Sequence, residues 1–464
     1  MKISVQNMGP IEKAEFELGD FTIICGKNNT GKTYATYALY GFIDFFNNHY
    51  HLDVSDNLIK SLLEDGTAEI PLENYSKNRN GLLLEACNEY TKLLPHVFAA
   101  NKSNFHNTKF QVSLEEPENY PQNVIEVNYG TNKKNILKLN KPKNENKIIA
   151  SLLVQKGAQE LHRDLIDNAI GETIRQVLFS HLFPKPFIIS AERTGAAIFR
   201  SELNFARNRL LEEVSSMENT SFNPFALINK VYADYALPVK RNVEFIRNIE
   251  NVAKKESFVA AEHSELLQEF CDIIGGSYKV TSNDELYFIP NKDRRVKLTM
   301  DESSSSVRSL LDLGFYLKHI CKKGDLLIVD EPELNLHPEN QRKIARLFAR
   351  LINIGIKIFV TTHSDYLIKE LNSLIMFDPD NKSHLRIMEK ENYSKEESLS
   401  ASKVKVYVAE KGKFLKEGNK RKTNGLTLNP ADIDDELGIE VASFDESIET
   451  MDRIQNSLLL ESGE

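Results

Sequence analysis

Eight residues constrain this chain more than any others: Gly26–Thr33, GKNNTGKT. They fit G-x-x-x-x-G-K-[ST] at every fixed position. The apolar run FTIIC precedes them and a helix-like run from about Lys32 to Phe46 follows. The glycines free the backbone so that successive N–H groups can converge on phosphate oxygens, and the helix start adds its dipole. The expected cradle is Gly26, Lys27, Asn28, Asn29, Thr30, Gly31, Lys32 and Thr33, with Tyr34 next in line. Lys32 would reach the β- and γ-phosphates of ATP, and Thr33 would hold Mg2+.

A phosphate cradle needs partners, and three stretches supply candidates. In LLIVDEPELNLHP an apolar run ends in two adjacent carboxylates. Asp330, at the strand tip, would bind Mg2+ through water. Glu331 would act as general base on the attacking water. In KIFVTTHSDYL another buried strand ends at His363, 32 residues after Glu331. A neutral imidazole there can hydrogen-bond the γ-phosphate or the water. Ligand sites in open α/β sheets lie at the carboxyl ends of strands, where these elements would meet. The fourth stretch, DESSSSVRSLLDLGFYL, places Ser304, Ser305 and Ser306 at a helix start, a second anion site. One nucleotide does not need two; a second makes sense if it serves the other subunit's ATP.

Composition bounds the rest. With 464 residues the chain is too long for one ordinary core. The net charge of −9 argues against wholesale nucleic-acid coating, though a local basic surface is compatible with it. No apolar run reaches the roughly 18 residues of a membrane span. The alternating MKISVQNMGPIEKAEF is not a signal peptide, so a cytoplasmic protein is expected. Cys25, Cys87, Cys271 and Cys321 are scattered, without a CxxC pair, and read as small buried apolar residues.

The first 25 residues read as a three-strand meander. In the middle region, Leu58–Leu63 and Gly81–Leu94 look helical, FQVSLEE, VIEVNYG and NILKLN look like strands, and Lys147 to about Leu182 looks helical. KPFII is a buried strand, and residues 200–275 are mostly helical. From Val307 onward helices and strands alternate, which implies a mostly parallel sheet. SLIMF, HLRIMEK and VKVYVAE are expected as strands. A terminal amphipathic helix is expected to carry Phe444, Ile448, Met451, Ile454 and Leu458.

The expected organisation is 1–48 as the first part of the core and 49–180 as a mixed insertion. Residues 181–200 form a core strand with its loop, and 201–285 a helical lobe. Residues 286–380 complete the core, and 381–464 form C-terminal strands and a helix.

The opening strands, Gly26–Thr33, DEPELNLHP, THSDYL and the serine motif together resemble the ABC-type ATPase heads of the SMC, RecF and OLD groups. The resemblance covers roughly residues 1–45 and 180–380. DEPELNLHP is nearer the OLD-like branch, and FIISAERTG resembles a Glu-Arg loop of that branch. The fold implied is a P-loop NTPase of ABC-ATPase type, α/β, with a large inserted helical lobe. The resemblance implies a homodimer or higher assembly, two heads sandwiching two ATP molecules. Lys32, Thr33, Asp330, Glu331 and His363 of one subunit would face Ser304 and Ser305 of the other. Ser306 stands where the family carries a glycine, and His337 where transporter-like heads carry an aspartate. Two readings are open for Glu192 and Arg193: they lie near the nucleotide, or they lock the loop.

SMC heads carry long coiled coils, and no heptad run occurs here. OLD proteins add a nuclease domain, whose opening glutamate Glu410 could imitate. The 54 residues that follow are too few for that domain, and DIDDE (Asp432–Glu436) reads as a solvated turn. The expectation is an ATPase without its own nuclease. That arrangement resembles bacterial antiviral ATPases such as PtuA of Septu and AriA of PARIS systems, which work beside a separately encoded effector, a nuclease or toxin. The alternative is a RecF-like DNA-binding ATPase, with Asn132–Lys147 or Lys411–Lys422, six basic residues each, as its nucleic-acid contact.

Overall fold

A strand buried along its whole length needs neighbours on both faces. Phe21–Cys25 (β3), Leu326–Asp330 (β12) and nearly all of Lys357–Thr362 (β13) are of this kind. In the computed structural model they lie side by side. The model describes residues 1–114, 125–131, 134–153, 163–199, 235–281, 285–415, 422–439 and 450–457. The chain divides into two units. One comprises Met1–Ile3, Phe42–Lys92 and Phe110–Lys185; the other comprises Ser4–Gly41, Leu93–Lys109 and Pro186–Glu464.

The second unit is built on a six-stranded sheet of order β15-β14-β3-β13-β12-β9, where β9 is Pro186–Ile189, β14 is Val404–Leu415 and β15 is Lys422–Pro430. β9, β12, β13, β3 and β14 run parallel, and β15 returns antiparallel along the edge. Ile23, Leu327, Val329, Ile358, Val360 and Val406 are buried in its core. The helix Pro338–Asn353 packs Ile344 and Phe348 into that same core. Its start is set by sequence: His337 caps Glu339 N–H through Nδ1 (3.3 Å), and Pro338 occupies the first turn. The registers Asp330↔Thr361 and Thr362↔Cys25 bring the carboxyl ends of β12, β13 and β3 level.

Several expectations need correction. β1 (Lys2–Met8) and β2 (Ile11–Glu17) are neighbours across a tight turn with Gly9 at φ 55°, but β3 leaves them for the parallel sheet. SLIMF is the last part of the helix Asp365–Met376, because Leu374 and Ile375 continue the buried stripe of Leu367, Ile368 and Leu371. HLRIMEK lies in the helix Lys382–Lys390, started by Asn381 accepting from Ser383 N–H. The helix expected from Val307 begins at Ser305, bends at Leu310, where its hydrogen bonds continue, and widens to a π-turn over Tyr316–Ile320.

In the first unit, Thr67–Pro71 (β4), Ile125–Thr131 (β6), Lys134–Lys141 (β7) and Lys147–Leu152 (β8) form an antiparallel sheet, order β4-β8-β7-β6. β8 corrects the expectation of helix from Lys147. KIIASL alternates buried and half-buried, and Arg163–Phe179 is helical, as expected. Phe42, Phe46, Tyr90, Phe110, Phe179 and Phe183 form an aromatic core, with Phe46 and Phe183 4.4 Å apart at their ring centres. All four cysteines are free.

Residues 201–234, Asn132, Lys133, the loop residues 416–421, and Phe444, Ile448 and Leu458 lie outside the described residues. Met451 and Ile454 of the expected stripe are exposed.

Candidate functional site

β3 ends at Cys25, and the loop turns at once through backbone that only glycine takes easily. Gly26 has φ 140° and Gly31 has φ 95°. A Cβ on Gly26 would stand 2.6 Å from the Ala409 carbonyl oxygen of β14. One on Gly31 would stand 2.5 Å from Ile11 Cγ1. Lys27, Asn28 and Asn29 are exposed at the tip, and Thr30 Oγ1 donates to Lys27 O (2.8 Å). Lys32 is only 6% exposed and donates to the Gly26 and Lys27 carbonyls at 2.8 and 2.9 Å. Burial pushes the Lys32 ammonium below its ordinary range, while Glu331, Asp330 and Glu333 pull it back up. Thr33 is half-buried in the first turn. The Tyr34 ring is occupied in a stack on Phe98, 4.9 Å between centres.

Opposite this loop, β12 delivers its carboxylates. Asp330 is 1% exposed. The Thr361 hydroxyl donates to Asp330 Oδ1, while Oδ2 is buried with no partner. Burial pushes the Asp330 carboxyl up to about 6, with the Thr361 bond opposing. Glu331 sits at φ 52°, an unusual conformation for a side-chain-bearing residue. Its N–H donates to the Thr361 carbonyl (3.1 Å) and lies 3.2 Å from Thr361 Oγ1. The turn aims Glu331 toward His363, whose Nδ1 is 3.5 Å from Glu331 Oε1.

Glu333 is the residue that sequence reasoning missed. It lies inside DEPELNLHP, where the motif assigns chemistry only to Asp330 and Glu331. It is 6% exposed and its Oε1 accepts from Thr362 Oγ1 and from His363 N–H, both at 2.8 Å. The same oxygen is 3.3 Å from His363 Nδ1, and Oε2 is buried without a partner. The signal available was an acid two residues beyond the proposed base. The structure therefore brings Lys32, Asp330, Glu331, Glu333 and His363 together at the carboxyl edge of the sheet.

The serine motif stands apart from that cluster in its bonding. Ser304 caps the helix Ser305–Ser309, accepting from Val307 N–H (3.3 Å), and its hydroxyl is 2.8 Å from that of Ser306. Ser304 and Ser305 are exposed. Arg308 Nη1 donates to the Met300 carbonyl (3.0 Å) and also to that of Ser303, pinning the loop from behind. Of the two readings for the Glu-Arg loop, the bonding of Arg193 is that of a lock. It is 2% exposed and, among the described residues, donates only to backbone carbonyls. Glu192 Oε2 accepts from Tyr37 Oη (3.0 Å).

A glycine-built loop between a central parallel strand and a helix, faced by carboxylates from the strand two positions away, defines a P-loop NTPase with an α/β fold and a mixed, mostly parallel sheet. The chain belongs to the AAA ATPase domain family AAA_15, whose model matches residues 1–368. No curated protein matches it. Among solved structures it is similar to an SMC head bound to the C-terminal winged-helix domain of ScpA (10% identity, 91% of this chain and 97% of that one, TM-score 0.32). The SMC head domain from Thermotoga maritima matches at 10% identity over 93% and 98%, TM-score 0.29. An SMC head with an extended coiled coil bound to the C-terminal domain of ScpA, from Pyrococcus furiosus, matches at 11% identity over 98% of each chain, TM-score 0.31.

Proposed function

We propose that this ATPase is an ABC/SMC-like head of the OLD-type group that dimerises around ATP. In this reading it serves as the sensor of a bacterial anti-phage system with a separately encoded nuclease or toxin effector. The observation that carries the ATPase part is the convergence of Lys32, Asp330, Glu331, Glu333 and His363 at the sheet edge beside the Gly26–Thr33 loop.

Mg2+ fits the residues present. The buried, unpartnered Asp330 Oδ2 and the half-buried Thr33 hydroxyl are hard oxygen donors, the kind this ion takes. Asp330 and Thr33 would hold it, and it would neutralise phosphate charge. Gly26–Thr33 would wrap the phosphates with N–H groups, and Lys32 would leave its two loop carbonyls for the β- and γ-oxygens. Glu331 would take a proton from water. His363, oriented by Glu333, would hydrogen-bond the γ-phosphate. Ser304, Ser305 and Ser306, exposed or half-buried at a helix start, would meet the ATP of a second copy.

The assignment to defence rests on the OLD-like motifs and on the C-terminal residues. Glu410 sits within the core-sheet hairpin, paired with Thr427 and accepting from Asn429. Asp434 closes its own turn by accepting from Glu436 N–H (2.7 Å). Neither has the setting of a nuclease metal ligand. Among the described residues no helix is long and apolar enough to cross a membrane, and a cytoplasmic place is proposed with this reading.

A RecF-like DNA-binding ATPase is the second reading. One observation favours it: Lys411, Lys413 and Lys422 are exposed on the outer part of the β14–β15 hairpin. In the other basic stretch three lysines are engaged, Lys138 on Glu126, Lys147 on Glu69 and Lys141 buried, while Lys143 is exposed. The test is solution mass with ATP and Mg2+. Glu331→Gln should bind ATP, stall turnover and collect as a dimer, whereas Lys32→Ala should stay monomeric without nucleotide. A Glu331→Gln protein that turns over normally overturns the assignment of the base. DNA binding that strengthens with ATP and falls steeply with salt moves the conclusion to the second reading.

A further inference from the structure

Among the described residues, the guanidinium of Arg193 touches no side-chain acid within bonding distance. Nε donates to the Ser309 carbonyl (2.8 Å). Nη1 donates to the carbonyls of Ser190 (3.0 Å) and Asp330 (2.8 Å), and Nη2 to that of Glu331 (2.7 Å). One rigid fork thus joins three segments: the loop after β9, the last turn of the helix capped by Ser304, and the peptide units of both catalytic carboxylates. Glu331 is gripped from both sides, its N–H by Thr361 and its C=O by Arg193. That grip holds it at φ 52°, a strained conformation for a side-chain-bearing residue.

We propose that Arg193 is a positioning residue that couples engagement of the serine loop to the placement of Glu331. The inference rests on the reading of Ser304–Ser306 as the contact to a second subunit's ATP. Four residues lie between Ser304 and Ser309, and Ser309 ends the short helix that Ser304 caps. A shift of that helix moves the Ser309 carbonyl, and through the planar fork the carbonyls of Asp330 and Glu331 follow. The base is then set for water only when the serine loop is occupied, so an isolated head holds ATP without spending it. Asp312 fits this arrangement. It lies one turn past Ser309, is 1% exposed, has no hydrogen-bond partner on either oxygen, and is the leading compensating charge for Arg193. It offsets the buried cation without competing for the fork, which leaves all four bonds to the backbone.

The test is a double-mutant cycle on the full chain, reading kcat and ATP Kd for wild type, Ser305→Ala, Arg193→Lys and the double variant. Lysine keeps the charge and loses the fork. Each single variant should lose about 10- to 100-fold in kcat with ATP Kd within about threefold of wild type. The double should be no slower than the slower single. Losses that multiply, or an Arg193→Lys protein with wild-type kcat, overturn the coupling while leaving the ATPase reading standing. A Ser305→Ala protein with unchanged kcat overturns both. If Arg193→Lys does not fold, amide exchange replaces it. In wild type, ATP should slow exchange at Glu331 and at Leu334, whose N–H donates to the Glu331 carbonyl. In Ser305→Ala that slowing should vanish although ATP binds; equal protection in both proteins overturns the coupling.

Discussion

Replacing Gly26 by alanine separates the loop's conformation from its chemistry. At φ 140° the residue occupies a region essentially reserved for glycine, and a side chain there costs roughly 1–3 kcal/mol. The added Cβ also falls 2.6 Å from the Ala409 carbonyl oxygen and 3.3 Å from its carbon. Ala409 cannot step back, because β14 is paired to β3 on one side and β15 on the other. The overlap adds roughly 1 kcal/mol or more, in the range of an overpacked site. The free chain escapes much of this by turning the Gly26 peptide. That removes the carbonyl on which Lys32 rests at 2.8 Å and takes the first N–H out of the cradle. To bind ATP the loop must return, so about 2–4 kcal/mol appears as a roughly 30- to 1,000-fold weaker Kd. Titration calorimetry with ATP and Mg2+ reads the affinity, and thermal melting of the free protein reads stability. Gly66→Ala is the control: φ is 79° and a Cβ meets nothing within 4 Å, so it should lose stability by roughly 1 kcal/mol and bind ATP normally. A Gly26→Ala protein with ATP affinity within threefold of wild type would refute the argument.

Two further outcomes follow from the buried carboxylates. Glu333→Gln keeps the shape that accepts from Thr362 and His363 but removes the charge, which roughly halves the strength of those bonds; kcat should fall about tenfold with ATP affinity changed little, and an unchanged kcat would return Glu333 to a purely structural role. Asp312 bears on stability, because burial pushes its carboxyl up to about 7 from 3.8. Below about pH 4 both folded and unfolded forms are protonated and its contribution is fully present. As pH rises through the folded value that contribution is lost, on the order of 4 kcal/mol in all. Urea unfolding at pH 4.5 and pH 8 should show Asp312→Asn gaining on wild type as pH rises, and a pH-independent difference would contradict it.

The core of the site was legible because its signals are local. FTIIC and LLIVD are buried on both faces, and a glycine spacing or an acid pair ends each. The cap and proline at His337–Pro338 place the following helix to the residue. The misses are short apolar runs, where strand and helix periodicities overlap. SLIMF has the composition of a strand but completes a helical stripe, and HLRIMEK alternates until Asn381 is read as a cap. KIIASL merges in sequence with the helix-like pattern beyond it. Spacing offers Glu333 as an acid two residues past Glu331 but not its role, and it offers nothing for Asp312, because each acts on residues far along the chain: Glu333 on His363, and Asp312 on Arg193. The lock made by Arg193 joins carbonyls 116 to 138 residues away, which no local pattern announces.

The central claim is that each ATP is completed by the serine loop of a second copy. Mixing two inactive proteins measures this directly. Lys32→Ala lacks a working phosphate cradle but keeps its serines; Ser305→Arg keeps the cradle but blocks the serine loop. If the pocket is shared, the mixed dimer contains one intact site, built from the cradle of one protein and the serines of the other. ATPase activity should then appear on mixing that neither protein has alone. A mixture that stays inactive, while both proteins fold and Ser305→Arg still binds ATP, would contradict the account.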